Sequence, residues 1–115
     1  MVNRKLEGEI KEVSNSDWNY CMLIPQTTSN LMRGRLSGIG PVNDYTKIYD
    51  ETFSSSNSLY TILSMCILER YNFTPLFKQR KLEPEFMFRC VCNYDKCNSE
   101  ANFQNYLSAI VKDNK

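Results

Sequence analysis

The chain has 115 residues, 42% of them hydrophobic, and 14 basic side chains stand against 13 acidic ones for a net charge of +1. That length holds one domain able to close a core, and so even a charge balance excludes the one-sided basic surface that phosphate binding through counterion release requires. Histidine is absent, which removes every mechanism built on an imidazole base, an imidazole-activated nucleophile or a histidine metal ligand.

Residues 1–16 are charged and weakly patterned, and are expected to be a lead-in or an edge element ahead of a single domain over 17–115. From Asp17 to Ile24, Trp18, Tyr20, Met22 and Ile24 alternate with Asn19, Cys21 and Leu23, which predicts a strand ended by Pro25. Residues 26–44 carry Gly34, Gly38, Gly40 and Pro41 and read as a long loop; no lysine follows the glycines in the spacing of a phosphate cradle. Tyr45 to Phe53 reads as a short strand, broken by Ser54-Ser55-Ser56-Asn57. Over 59–68, Leu59, Ile62, Leu63, Cys66 and Ile67 fit a helix or a buried strand, and strand is preferred because a disulfide from Cys66 favours it.

Residues 71–84, with Pro75 and Pro84, form a second connection. Within it Asn72-Phe73-Thr74 is a glycosylation sequon for an extracellular chain, its use lowered by Pro75. Lys78, Arg80 and Lys81 beside Glu83 and Glu85 read as a solvated mixed-charge loop. From Glu85 to Cys92, Phe86, Phe88, Cys90 and Cys92 alternate with Met87, Arg89 and Val91, the clearest strand in the chain. After Cys97, Asn98, Ser99 and Glu100 supply a cap and a first-turn acid, and Phe103, Tyr106, Leu107, Ile110 and Val111 recur at helical spacing up to Lys112. The expected fold is a small disulfide-stabilised, mainly-β (α+β) domain: an antiparallel sheet with a C-terminal amphipathic helix.

Three of the five cysteines fall within residues 90–97. On a strand Cys90 and Cys92 point to the same face, and neighbours on one chain splay too far apart to bond, so each needs its own partner. Cys92 and Cys97 enclose Asn93-Tyr94-Asp95-Lys96, a turn-forming sequence that makes a small ring easy to close, which leaves Cys66 for Cys90. Cys21 is then the odd thiol, either buried and inert or bonded between chains in a homodimer.

The ending Phe88-Arg-Cys90-Val-Cys92-Asn-Tyr-Asp-Lys-Cys97-Asn98 resembles the closing signature of the three-finger superfamily of urokinase-receptor and snake-toxin type. It is especially similar to nematode secreted cysteine-rich proteins ending in C-x-C-x-x-D-x-C-N. The resemblance covers the stretch from Cys66 onward and implies an extracellular, non-catalytic protein that recognises others through its loops. It also implies that Asn98 pins the base of those loops.

The carboxylates Glu7, Glu9, Glu12, Asp44, Asp50 and Glu51 lie in polar stretches without the apolar surroundings that tune a carboxyl for catalysis. The chain therefore reads as a non-enzyme without a cofactor: a binding module that contacts a protein partner through loops 26–44 and 71–84. The alternative is a cytosolic interaction domain stapled by zinc on Cys66, Cys90, Cys92 and Cys97. Met1–Ile10 holds no apolar leader core, so an extracellular chain is expected to be a mature form; no stretch is long and apolar enough to span a bilayer.

Overall fold

The computed structural model describes residues 1–7, 9–25, 35–76 and 82–115, and for 2–7 and 9–11 the backbone alone. Residues 26–34 of the first expected loop, Gly34 among them, and the basic residues Lys78, Arg80 and Lys81 lie outside the described residues. Strands β1 (Val2–Glu7) and β2 (Glu9–Ser14) pair antiparallel as a hairpin. Strands β3 (Tyr20–Ile24), β4 (Arg35–Ile39), β5 (Ser64–Tyr71) and β6 (Glu85–Cys92) form one sheet in the order β4-β3-β6-β5, antiparallel throughout. Helix α1 (Lys47–Ser54) follows a 3₁₀ turn at Asp44–Thr46, and α2 (Phe103–Asp113) closes the chain. The fold is thus a four-stranded antiparallel sheet with a short C-terminal helix, as the alternation and the final helical spacing predict.

The period-2 pleat sends successive side chains to opposite faces, and helices cover both. On one face Cys21, Leu23, Leu36, Cys90 and Cys92 pack against Tyr106 and Ile110 of α2, and Phe88 meets Phe103 edge-on at 5.5 Å. On the other, Tyr49 and Phe53 of α1 cover Tyr20 and Val91, with Tyr20 stacked on Phe53 at 5.6 Å. A strand clad on both faces needs apolar residues at both parities, which is why Tyr20-Cys21 and Cys90-Val91-Cys92 are consecutive buried residues.

Several segments depart from expectation. Tyr45–Phe53 is helical rather than extended. The Asn43 side chain accepts from the Tyr45 amide at 2.8 Å while the Thr46 hydroxyl accepts from the Asn43 amide at 3.0 Å, a reciprocal cap that starts a helix. The buried positions Thr46, Tyr49 and Phe53 are spaced by three and four, as a helix face requires. The expected strand from Asp17 begins only at Tyr20, because the Asn15 side chain and carbonyl take the amides of Asp17 and Trp18 in a turn. Of the two readings of residues 1–16, lead-in or edge element, the paired strands Val2–Glu7 and Glu9–Ser14 match the second, and β1 lies against β4.

Loop 26–44 contains strand β4. Gly38 and Gly40 serve close approach rather than turning: a Cβ on Gly38 would run into the Trp18 ring, and one on Gly40 into the Asp17 carbonyl. At the C-terminus, Asn102 rather than Asn98 caps α2, accepting from the Asn105 amide at 3.1 Å. The ambiguous 59–68 segment resolves as strand from Ser64 onward.

Replacing Gly38 by Ala must displace the Trp18 indole from β4. The expected cost is about 1–3 kcal/mol by overpacking, read as a lower urea midpoint with unchanged slope, and Gly38→Ala in a Trp18→Ala background should cost markedly less.

Candidate functional site

Strand register places the cysteines. Cys66 stands opposite Cys90 across β5–β6 with Cα atoms 4.1 Å apart and sulfurs bonded at 2.11 Å. Cys92 bonds Cys97 at 1.98 Å and closes a ring over residues 93–96. The ring turns on Lys96, whose φ of 62° is left-handed, while the Cys97 amide donates to the Tyr94 carbonyl at 3.2 Å. Each bond stabilises such a domain by about 2–4 kcal/mol, chiefly by restricting the unfolded chain.

Asn98, next to the ring, is fully buried. Its Nδ2 donates to the Met22 carbonyl at 3.1 Å and the Ser37 carbonyl at 3.2 Å, residues that are register partners on β3 and β4. The amide thereby ties the ring to both strands. Asn72 is exposed and accepts the Thr74 amide at 3.1 Å, and the Thr74 hydroxyl bonds both the amide and the carbonyl of Leu82 at 3.1 Å.

Cys21 lies outside both disulfides, at 0% exposure in the core beneath the ring. Its thiol donates to the Tyr94 carbonyl at 3.4 Å and approaches the Met1 sulfur at 3.5 Å. Burial pushes the thiol up to about 11, against the downward pull of the Cys97, Asn98 and Lys96 backbone amides, and Asp95 adds to the rise. Of the two roles open to Cys21, the structure shows the buried one. A Cys21 disulfide between chains would require the sulfur to leave this buried position.

On the opposite face of the sheet a cleft of about 630 Å³ opens between the segment 40–48 and strands β5 and β6. Met22, Ile39 and Ile67 form an apolar part of its lining, and Glu69, Tyr71 and Arg89 a polar part. Arg89 Nε pairs with Glu69 Oε1 at 2.9 Å with both side chains about a quarter exposed, at 24% and 25%. The guanidinium also sits over the Tyr49 ring at 5.6 Å, and the Tyr71 hydroxyl donates to Glu69 Oε2 at 3.0 Å. Burial raises the Tyr49 phenol despite Arg89, and the Tyr71 phenol is raised by its bond to Glu69.

The mouth of the cleft is apolar and open. Tyr45 and Ile48 are exposed there, Tyr45 at 90%. Beneath them Tyr20 donates a hydrogen bond to Asp50, which also accepts from the Thr46 hydroxyl at 3.3 Å, and burial followed by Asp50 raises the Tyr20 phenol. Apolar lining with a few fixed polar groups suits recognition.

From the stretch 26–44 the cleft takes Ile39, the last residue of β4, with Gly40, Pro41 and Asn43, and from 71–84 it takes Tyr71, the last residue of β5. Glu69 and Arg89 were not foreseen from the residue pattern. Their signal was present: each places a charge in the apolar stripe of its strand, Glu69 after Met65 and Ile67, and Arg89 between Met87 and Val91.

A family profile matches residues 2–110. The chain belongs to DUF5354, a family of unknown function. No curated protein and no solved structure matches it. The DUF5354 span includes all five cysteines, Asn98 and every residue of the cleft.

Alkali should unfold this domain sharply. Burial raises Cys21 from 9.0 to about 11 and Tyr106 from 10.0 to about 12. Both therefore ionise more readily in the unfolded chain. Their stabilisation is complete below pH 9 and is lost as pH climbs from 9 to about 12. Within that window each such group loses about 1.4 kcal/mol for every pH unit between its unfolded and folded midpoints. Urea midpoints should be flat from about pH 7 to 9 and then fall, and Tyr106→Phe should flatten the fall above pH 10 at the cost of the 2.7 Å bond to Ser64.

Proposed function

We propose that this DUF5354 domain is a non-catalytic extracellular binding module that takes an apolar or aromatic side chain of a protein partner into the cleft. The carrying observation is the Arg89–Glu69 pair, packed on Tyr49 in a partly apolar lining whose mouth carries the exposed Tyr45 and Ile48. A half-buried ion pair contributes little net stability over an apolar replacement, so its presence in a lining favours orientation of a ligand. Exposed aromatic and aliphatic side chains around such a lining supply the anchors on which binding energy concentrates.

Two disulfides support an oxidising compartment. The likeness of the Cys90–Asn98 ending to secreted three-finger-type proteins supports the same compartment, and Asn72 is its glycan acceptor. The alternative of a cytosolic zinc-stapled domain would need Cys66, Cys90, Cys92 and Cys97 as reduced thiolates, and the two disulfides favour the extracellular reading over it.

Placing p-benzoylphenylalanine at position 45 and irradiating the protein in its native extracellular fluid should yield one discrete protein adduct. The same probe at Lys112, exposed on α2, should not. Ile48→Asp should abolish the adduct while leaving the urea midpoint within about 0.5 kcal/mol of wild type, as expected at an exposed position. Equal adducts from positions 45 and 112, or none from 45, would remove the cleft from consideration. For the compartment, the endogenous chain should carry two disulfides and lose a glycan on Thr74→Ala; a chain with fully reduced cysteines contradicts it.

A further inference from the structure

Strand β6 carries two cysteines on one face, and each has a cysteine as its register partner on a neighbouring strand: Cys90 opposite Cys66 on β5, and Cys92 opposite Cys21 on β3. The first pair is bonded. The second is not, because Cys92 is bonded to Cys97 instead. Directly opposed residues of antiparallel strands lie about 4.5–5.5 Å apart at Cα, inside the span a disulfide bridges. Cys92 Sγ already lies 3.8 Å from the Cys21 carbonyl oxygen. The ring closed by Cys92 and Cys97 wraps the Cys21 sulfur, with the Tyr94 carbonyl accepting from it and the backbone amides of Lys96, Cys97 and Asn98 directed to it. One thiol and one disulfide thus share a single buried cluster.

We propose that Cys21 is an exchange thiol for the Cys92–Cys97 ring, converting it into a Cys21–Cys92 crosslink between β3 and β6. In the step Cys21 gives up its proton and its sulfur bonds Cys92 Sγ. The Cys92–Cys97 bond breaks with its electron pair passing to Cys97 Sγ, which takes up a proton. The number of disulfides stays at two, so neither oxidant nor reductant is consumed. The product has an open 92–97 segment and a sheet clamped across both seams of β6, where the starting form is clamped across one.

The thiolate is the attacking species, so protonation sets the rate. The ionisable groups around Cys21 are Asp95 and Tyr94 of the ring, Tyr106 of α2, and Met1, which touches the thiol through its sulfur and carries the α-ammonium. Burial holds the thiol protonated at neutral pH, which makes exchange slow there and quickens it about tenfold per pH unit up to the thiol's own range.

Oxidised protein held without reductant at about pH 7, 8 and 9 is quenched in acid, unfolded, labelled with N-ethylmaleimide and peptide-mapped. Label should begin on Cys21 and move to Cys97, with a Cys21–Cys92 linked peptide appearing in step and a rate rising about tenfold per pH unit. Label that stays on Cys21 at every pH overturns the proposal. A second variant tests the geometry directly. Cys97→Ala refolded with oxidised glutathione should close Cys21–Cys92 and take up no label, whereas two labelled or glutathione-capped thiols at 21 and 92 overturn it. If Cys97→Ala does not fold, the wild-type label alone decides.

Discussion

Cys90, Val91 and Cys92 are the only described residues of β6 paired on both sides, to β3 and to β5, and all three are fully buried. Their side chains divide between the two faces of the sheet, so this short segment is the floor of both cores at once. Nothing charged fits there without a large desolvation penalty. Three residues of double pairing make a narrow junction for a domain whose total stability is about 5–15 kcal/mol, and the covalent bonds at Cys90 and Cys92 reinforce it from either end. Among the described residues the rest of β6 has β5 as its one strand partner. Phe86 and Met87 lie on that arm and are exposed, because among the described residues no third strand or helix reaches them.

The cleft follows from a mismatch of lengths. Helix α1 and strand β5 each have eight residues, but a helix rises about 1.5 Å per residue and a strand about 3.3 Å. A helix of that length therefore spans roughly half the length of the strand. Helix α1 seats Tyr49 and Phe53 over Tyr20 and Val91, with Ile67 packed at the edge of that cluster, Arg89 reaching the Tyr49 ring and Glu69 beside it in the cleft. In that partly desolvated position a lone charge would be costly, and Arg89 is accommodated by a carboxylate on one side and an aromatic ring on the other.

What could be seen in the residues depended on whether one element or two determined them. β6 and α2 show their own periodicity, and the small ring at Cys92 is set by four intervening residues, so these were legible locally. Helix α1 was masked because Tyr45, Tyr49 and Phe53 are good strand formers, and only the spacing of the buried Thr46, Tyr49 and Phe53 separates the alternatives. Strand β4 was hidden by glycines that suggest turns, yet Gly38 is small because Trp18 lies on it. Asn98 has the chemistry of a helix cap, and its actual partners, Met22 and Ser37, are distant in sequence. The cleft was least legible: Glu69 and Arg89 are partners only through a diagonal of the β5–β6 register.

The two faces of the sheet are not independent. Ile67 and Arg89 are register partners, and each directly follows or precedes a cysteine of the Cys66–Cys90 bond. Alternation turns those cysteines to one face and the cleft residues to the other. A covalent bond on the α2 side therefore fixes the separation of two cleft-lining residues on the α1 side, one residue away along both strands. Side chains already held at their final spacing lose little freedom when a ligand arrives, and the ordering cost that limits affinity falls accordingly. In this domain the sulfur that stabilises the fold also sets the spacing of the cleft's lining.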